Sequence, residues 1–128
     1  MRWACDCAEH VLHLYGKPID KRLITALTIA KEWTKGKASV GDARKASVGA
    51  IAVANERSNS IQVAVARAVG HAVATAHMAD HSLGAAWYAL KTVKGANASI
   101  DEERKWQDQR LESEVRDLVL TARKSRSI

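Results

Sequence analysis

The stretch GHAVATAHMADHSLGAAWYAL, residues 70–90, decides how the rest of the chain is read. It places three of the five histidines, His71, His77 and His81, in a nearly unbroken alanine background. The run before it has the same character. Ile61, Ala64, Val65, Ala68, Val69, Ala72, Val73 and Ala76 recur every three or four residues and leave almost no polar face, as in a helix surrounded by other helices. Continued to Lys94, this helix would be about 50 Å long, too long for a compact domain. A break near Met78–Ser82 is therefore expected, with Asp80 capping the next helix. Gly70, Ala74 and Gly84 would let neighbouring backbones approach closely. The expectation is a central pair of Ala/His-rich helices.

Toward the N-terminus, Trp3 to Tyr15 reads as one helix with Ala4, Cys7, Val11, Leu14 and Tyr15 on one face, ended by Gly16-Lys17-Pro18. Asp20 suits the N-cap of a second helix whose stripe is Leu23, Ala26, Leu27, Ala30 and Trp33, with Gly36 as its stop. Ser39 with Asp42 forms a capping-box variant ahead of a third helix lined by Val40, Ala43, Ala46, Ala50, Val53 and Ala54. The polar stretch Asn55–Asn59 makes the next turn. The pentapeptide Lys-Ala-Ser-Val-Gly occurs at Lys37 and at Lys45, an offset that matches no repeat architecture.

Toward the C-terminus, Gly95–Ala98 is a loop, and Ser99 with Glu102 is a capping-box signature followed by acids suited to a helix start. That helix carries Trp106 and Leu111. Ser113 starts another, with Val115, Leu118, Val119 and Ala122 as the last apolar stripe. The expected fold is an all-α single domain over residues 1–128, a bundle of about six or seven helices. Residues 123–128 are expected to fray as a basic tail.

Composition agrees. At 128 residues, one core of adequate size is available without staples. Alanine is abundant, phenylalanine is absent and Pro18 is the single proline, which favours helix. The four tryptophans are expected to supply much of the bulky packing. Cys5 and Cys7 are too close in sequence for a good disulfide, so they read as reduced thiols of a cytoplasmic protein. The N-terminus has no apolar run behind a basic start. The most apolar segment, Ile61–Ala79, is interrupted by Arg67, His71 and His77, so no membrane association is expected. The net charge of +6, partly from Arg123, Lys124 and Arg126, lacks the dense basic patch of a nucleic-acid binder.

The candidate chemistry is sparse. His77 and His81, four apart, would share one face of a continuous helix and could chelate one metal ion, whereas His71 lies about 120° away from His77 around the axis. No carboxylate completes the pair locally, so hydrogen-bonded core or interface histidines are the simpler expectation. Cys5, Cys7, His10 and His13 form a second metal-like group, which His77 and His81 could join in space, although Cys-x-Cys is not a usual zinc knuckle. A cysteine nucleophile with a histidine base lacks any accompanying oxyanion signature. There is no phosphate-cradling loop and no acidic cluster for two magnesium ions. No catalytic residue, no bound metal and no cofactor are expected. The alternatives are a small metal-dependent enzyme using His71, His77 and His81 with the N-terminal Cys/His group, and a nucleic-acid-binding helical domain acting through the basic tail. Trp87-Tyr88, and Trp106 with Arg110 one turn on, are the recognition candidates, set against plain core packing by the tryptophans.

Several of these segments together resemble the immunity-five-like group of small helical bacterial immunity proteins. The matching residues are Cys7–Leu12, Ala43–Ala46, Ala68 to His77, His81, Gly84–Ala86, Tyr88-Ala89 and Glu103–Gln107 with Leu111. The resemblance implies a cytoplasmic, non-enzymatic protein that binds and blocks a cognate protein toxin. His71, His77, His81, Trp87, Tyr88, Trp106 and Arg110 are the candidate contact residues, and self-association into a homo-oligomer is left open. Because the chain is basic, steering toward a basic nuclease toxin is not expected unless the acidic contact is local.

Overall fold

The computed structural model describes residues 1–76 and 81–126. Among them the chain forms seven α-helices: α1 (Arg2–His10), α2 (Lys21–Thr34), α3 (Val40–Glu56), α4 (Ser60–Ala74), α5 (His81–Gly95), α6 (Ile100–Gln109) and α7 (Ser113–Arg126), with a 3-10 turn at Leu12–Tyr15. The all-α expectation holds. The helix caps follow the side chains that invite them. Asp20 accepts from the Arg22 amide at 2.9 Å, and Ser39 and Asp42 exchange both capping-box bonds at 3.0 Å. Asn59 accepts from the amides of Ile61 and Gln62, and Ser99 from that of Glu102.

The helix ends are as specific. Gly36 takes the left-handed conformation, φ +75°, while its amide reaches Trp33 O and the Lys37 amide reaches Glu32 O at 2.8 Å, a Schellman closure of α2. At the end of α5 the left-handed residue is Asn97, φ 59°, rather than Gly95, which stays in the helix.

Helix α4 is the hub, packing against α1, α2, α3 and α5. Its residues 64–66, 68–70 and 72–74 are buried, as its near-absence of a polar face predicts. The interior has two parts. One gathers Leu23, Ala26, Val53, Val65, Val69 and Val73 between α2, α3 and α4. The other gathers Trp3, Val11, Leu83, Ala86, Val93 and Leu111 between α1, α5 and α6. Helix α1 is shared: Ala4, Cys5 and Ala8 face the first part, Trp3 and Cys7 the second. Small side chains let these helices approach closely, so the core is held by many short alanine and valine contacts rather than by a few large groups. The tryptophans do not take the part expected of them: Trp3 alone is buried.

An electrostatic knot closes the α2–α3 hairpin. Asp20 holds Arg22 at 3.0 Å and Arg57 at 2.9 Å, Arg22 also reaches Glu56 at 2.5 Å, and Arg57 donates to Tyr15 Oη at 2.9 Å. The Arg22 hydrogen bond, aided by Arg57, pulls the Asp20 pKa down. Lys31 pairs with Glu9, tying α2 to α1.

Four expectations are corrected. The first helix is not continuous to Tyr15: it stops at His10, and Leu12–Tyr15 tightens into a 3-10 turn with the Leu14 amide on Val11 O at 3.0 Å. No glycine or proline marks that break. Helix α3 runs two residues into the expected turn, and Val40 is exposed while Ser47 takes a buried place and donates to Gly70 O at 3.1 Å. In α7 the apolar stripe does not face inward as a whole: Val115 is 42% and Leu118 74% exposed. The residue α7 inserts is Arg123, only 4% exposed, while residues 124–126 continue the helix with exposed side chains. The expected Asp80 cap lies outside the described residues. Among the described residues, no helix is long and apolar enough to cross a membrane.

Candidate functional site

The break between α4 and α5 brings the two helices side by side and rearranges the histidines. His71 Nδ1 and His81 Nδ1 lie 2.7 Å apart, so one ring donates and the other accepts, and the two carry different protonation at Nδ1. On a continuous helix His71 and His81 would lie about 15 Å apart along the axis, too far to bond in this way. His77, expected to partner His81, lies outside the described residues. The His71 ring rests against Gly84, where an added Cβ would stand 2.7 Å from Nδ1. That close approach is what Gly84 is for. On its other side His71 stacks with Tyr88, ring centroids 5.2 Å apart. Burial, then His81, then Arg67 push the His71 pKa down.

This histidine pair opens onto a pocket of about 250 Å³ bordered on the α3 side by Arg44, Ser47, Val48 and Ile51. From Tyr88 the surface continues along α5. Trp87 meets Tyr88 edge-on at 4.9 Å, Lys91 sits over Trp87 at 4.6 Å, and Arg67 lies over Tyr88 at 5.8 Å. Trp87 is 37% exposed. The structure thus joins the predicted residues His71, His81, Trp87 and Tyr88 into one strip. Arg44, Val48, Ile51, Arg67 and Lys91 belong to the same strip and were not predicted. Val48 and Ile51 had a signal in the sequence: they fall outside the buried phase of α3, which leaves two aliphatic side chains facing water.

Trp106 and Arg110 do not join that strip. Arg110 lies over Trp106 at 4.8 Å, as their one-turn spacing allows. The opposite face of Trp106 is covered by His10, stacked at 3.5 Å and nearly parallel. His10 Nδ1 contacts the buried Glu103 carboxylate at 2.7 Å. A pocket of about 390 Å³ lies beside them, lined also by His13, Leu14 and Glu102. No periodic signal marks this pairing, since it joins the end of α1 to α6.

The group Cys5, Cys7, His10 and His13, weighed as a metal site, is dispersed. Cys5 points into one part of the core and Cys7 into the other, His10 is held by Glu103, and His13 is exposed. Among the described residues no three His, Cys, Asp or Glu side chains converge as metal ligands. Burial raises the Cys5 thiol to about 11 and pushes Cys7 up further, which keeps both as poor nucleophiles.

Charge is distributed unevenly over this framework. Residues 20–100 carry eleven Lys and Arg against five Asp and Glu, whereas residues 101–128 carry seven of each. The net +6 therefore belongs to the α2–α5 side, not to the tail.

A family model described as "Imm-5 like putative immunity protein" matches residues 1–114, which include every residue of the strip and stop as α7 begins. No curated protein and no solved structure matches the chain. A match over most of the chain, on an all-helical bundle, places it: the protein belongs to the Imm-5-like immunity protein family.

Proposed function

We propose that this protein is a stoichiometric, non-catalytic inhibitor that binds a cognate bacterial toxin and blocks it in the cytoplasm of the producing cell. The family match over residues 1–114 carries the reading. The geometry supports binding rather than chemistry. The groups with reactive potential are engaged in holding the fold: two buried thiols with raised pKa, His10 on Glu103, and His71 on His81. What reaches solvent on the strip is aromatic, aliphatic and cationic, and aromatic and arginine side chains are the types enriched at interface hot spots.

The test is co-production of the full chain with candidate toxins from the same cell. Rescue of growth together with a one-to-one complex on gel filtration is the expected result. Growth arrest without any complex would remove the reading.

A further inference from the structure

We infer that the face shared by α3, α4 and α5 is the docking surface for an acidic, apolar-anchored segment of a partner protein. Under the function proposed above that partner is the toxin, and the inference rests on that reading.

Two observations converge on one side of the molecule. The first is charge. Arg44, Arg67 and Lys91 border the strip, and none of them has a carboxylate partner among the described residues, whereas Arg2, Arg22 and Arg57 each do. Guanidinium groups left in this state have their bidentate capacity for a carboxylate intact. The second is apolar exposure. Val48 is 65%, Ile51 36% and Trp87 37% exposed, and the pocket beside Val48 and Ile51 gives a concave seat about 250 Å³ in volume. Aliphatic and aromatic anchors bordered by cations that no described carboxylate engages fit a protein surface that presents apolar side chains flanked by Asp or Glu.

Other occupants fit less well. A second copy docked on the same face about a two-fold axis would set Arg44, Arg67 and Lys91 against their own kind, which costs affinity. A nucleic acid would bring phosphates against Val48 and Ile51, and three spaced cations fall short of the dense basic stripe that neutralises a phosphate backbone.

The experiment uses the full chain and the toxin it protects against in the co-production test, with Kd measured by calorimetry at low and high salt. The variants are the double substitution Arg44→Glu/Arg67→Glu and the single Val48→Asp, with Lys105→Glu on α6 as control. All four positions are outside the buried core, and thermal melting checks that each variant folds. The double variant and Val48→Asp are each expected to weaken the complex by more than about thirtyfold. Lys105→Glu should change it by less than about twofold, and wild-type affinity should fall as salt rises.

If the wild type binds the toxin and the strip variants bind equally well, the docking surface is wrong and the immunity reading stands. If the wild type neither binds nor protects, the immunity reading fails and takes the docking surface with it. Binding of a mixed-sequence DNA oligonucleotide that the Arg44→Glu/Arg67→Glu variant abolishes would overturn the protein-docking inference. So would a wild-type dimer that Val48→Asp dissociates.

Discussion

The α1–α6–α7 end of the bundle and the α3–α4–α5 face are built from the same kinds of side chain, tryptophan, arginine and histidine, used in opposite ways. At the first, Trp3 donates to Gln107 O at 2.7 Å, Gln107 donates to Ala86 O at 3.1 Å, and Arg123 donates to Gln107 Oε1 at 2.6 Å. One amide side chain thereby joins α5, α6 and α7, and the Trp3 bond to its carbonyl adds α1. At the second, Arg67 and Lys91 rest on aromatic faces and Arg44 borders a pocket, all without a carboxylate among the described residues. The difference lies in what covers them. Helix α7 and the end of α1 close over Trp3 and Trp106, whereas no described element lies over Trp87 and Val48. An aromatic–cation pair at helical spacing is thus mortar or contact surface according to whether a further helix lands on it.

Breaking the wired end should have the largest effect. Gln107→Ala removes the buried hydrogen-bond acceptor of Arg123 and the side-chain donor to the Ala86 carbonyl and leaves a void, so a loss of about 3–5 kcal/mol is expected. Urea unfolding would measure it. A loss below about 1 kcal/mol would mean that the network does not hold this end together. Among the described residues the Nε and Nη1 atoms of Arg123 make no hydrogen bond, and burial lowers its pKa, so little slack remains.

Next comes the seat of the histidine pair. Gly84→Ala would put a methyl carbon 2.7 Å from His71 Nδ1, so the ring must swing away and its bond to His81 must open. The expected cost is about 1–3 kcal/mol, moderated because a side chain rather than backbone has to move. Loss of the shared Nδ1 proton signal by nitrogen NMR would report the opening. An unchanged signal in a folded variant would contradict the geometry.

A smaller effect is expected from acid. The folded pKa of His71 lies below its ordinary 6.5, because burial, His81 and Arg67 all disfavour its charge. Between those two values the unfolded chain binds a proton that the folded chain refuses. This contribution is therefore fully present above pH 6.5 and is lost as pH falls below it, through the folded pKa. Unfolding midpoints measured across that range should decline on acidification in the wild type and decline less in His71→Gln. Equal slopes would show that His71 does not supply the dependence.

The smallest change is expected at Gly70, on the same helix. An added Cβ meets Ile51 Cδ1 at 2.8 Å, the far end of a side chain that is 36% exposed and free to turn outward. The gain in helix propensity from Gly to Ala, about 1 kcal/mol, offsets that shift. Gly70→Ala should therefore stay within about 1 kcal/mol of wild type in urea. A loss above about 2 kcal/mol would show Ile51 to be fixed, and the face less adaptable than its exposure suggests.

Much of the fold was legible because its signals are local. Asp20, Ser39, Asn59 and Ser99 cap their helices through bonds to amides two or three residues away, and Gly36 ends α2 through its own φ. The strip was legible in part. His71, Trp87 and Tyr88 stand out by composition, and the separation of α4 from α5 follows from length. Less could be read where a partner came from afar. Nothing near Val11 announces the end of α1. The inward turn of Arg123 depends on Gln107 and Asp108 from another helix. The pairing of His71 with His81 replaces a same-helix phase argument with a contact across two helices.

The sequence by itself determined that this chain is a bundle of helices centred on residues 61–95, because periodicity, caps and alanine content act within a turn or two of the residue concerned. Only the tertiary structure decided which polar side chains are spent inside and which remain available outside. That outcome depends on which helix covers which face, and covering is a relation between segments far apart in the chain. The histidines of residues 70–90 show it most directly: their spacing left several pairings open, and the packing of α4 against α5 brought His71 to His81.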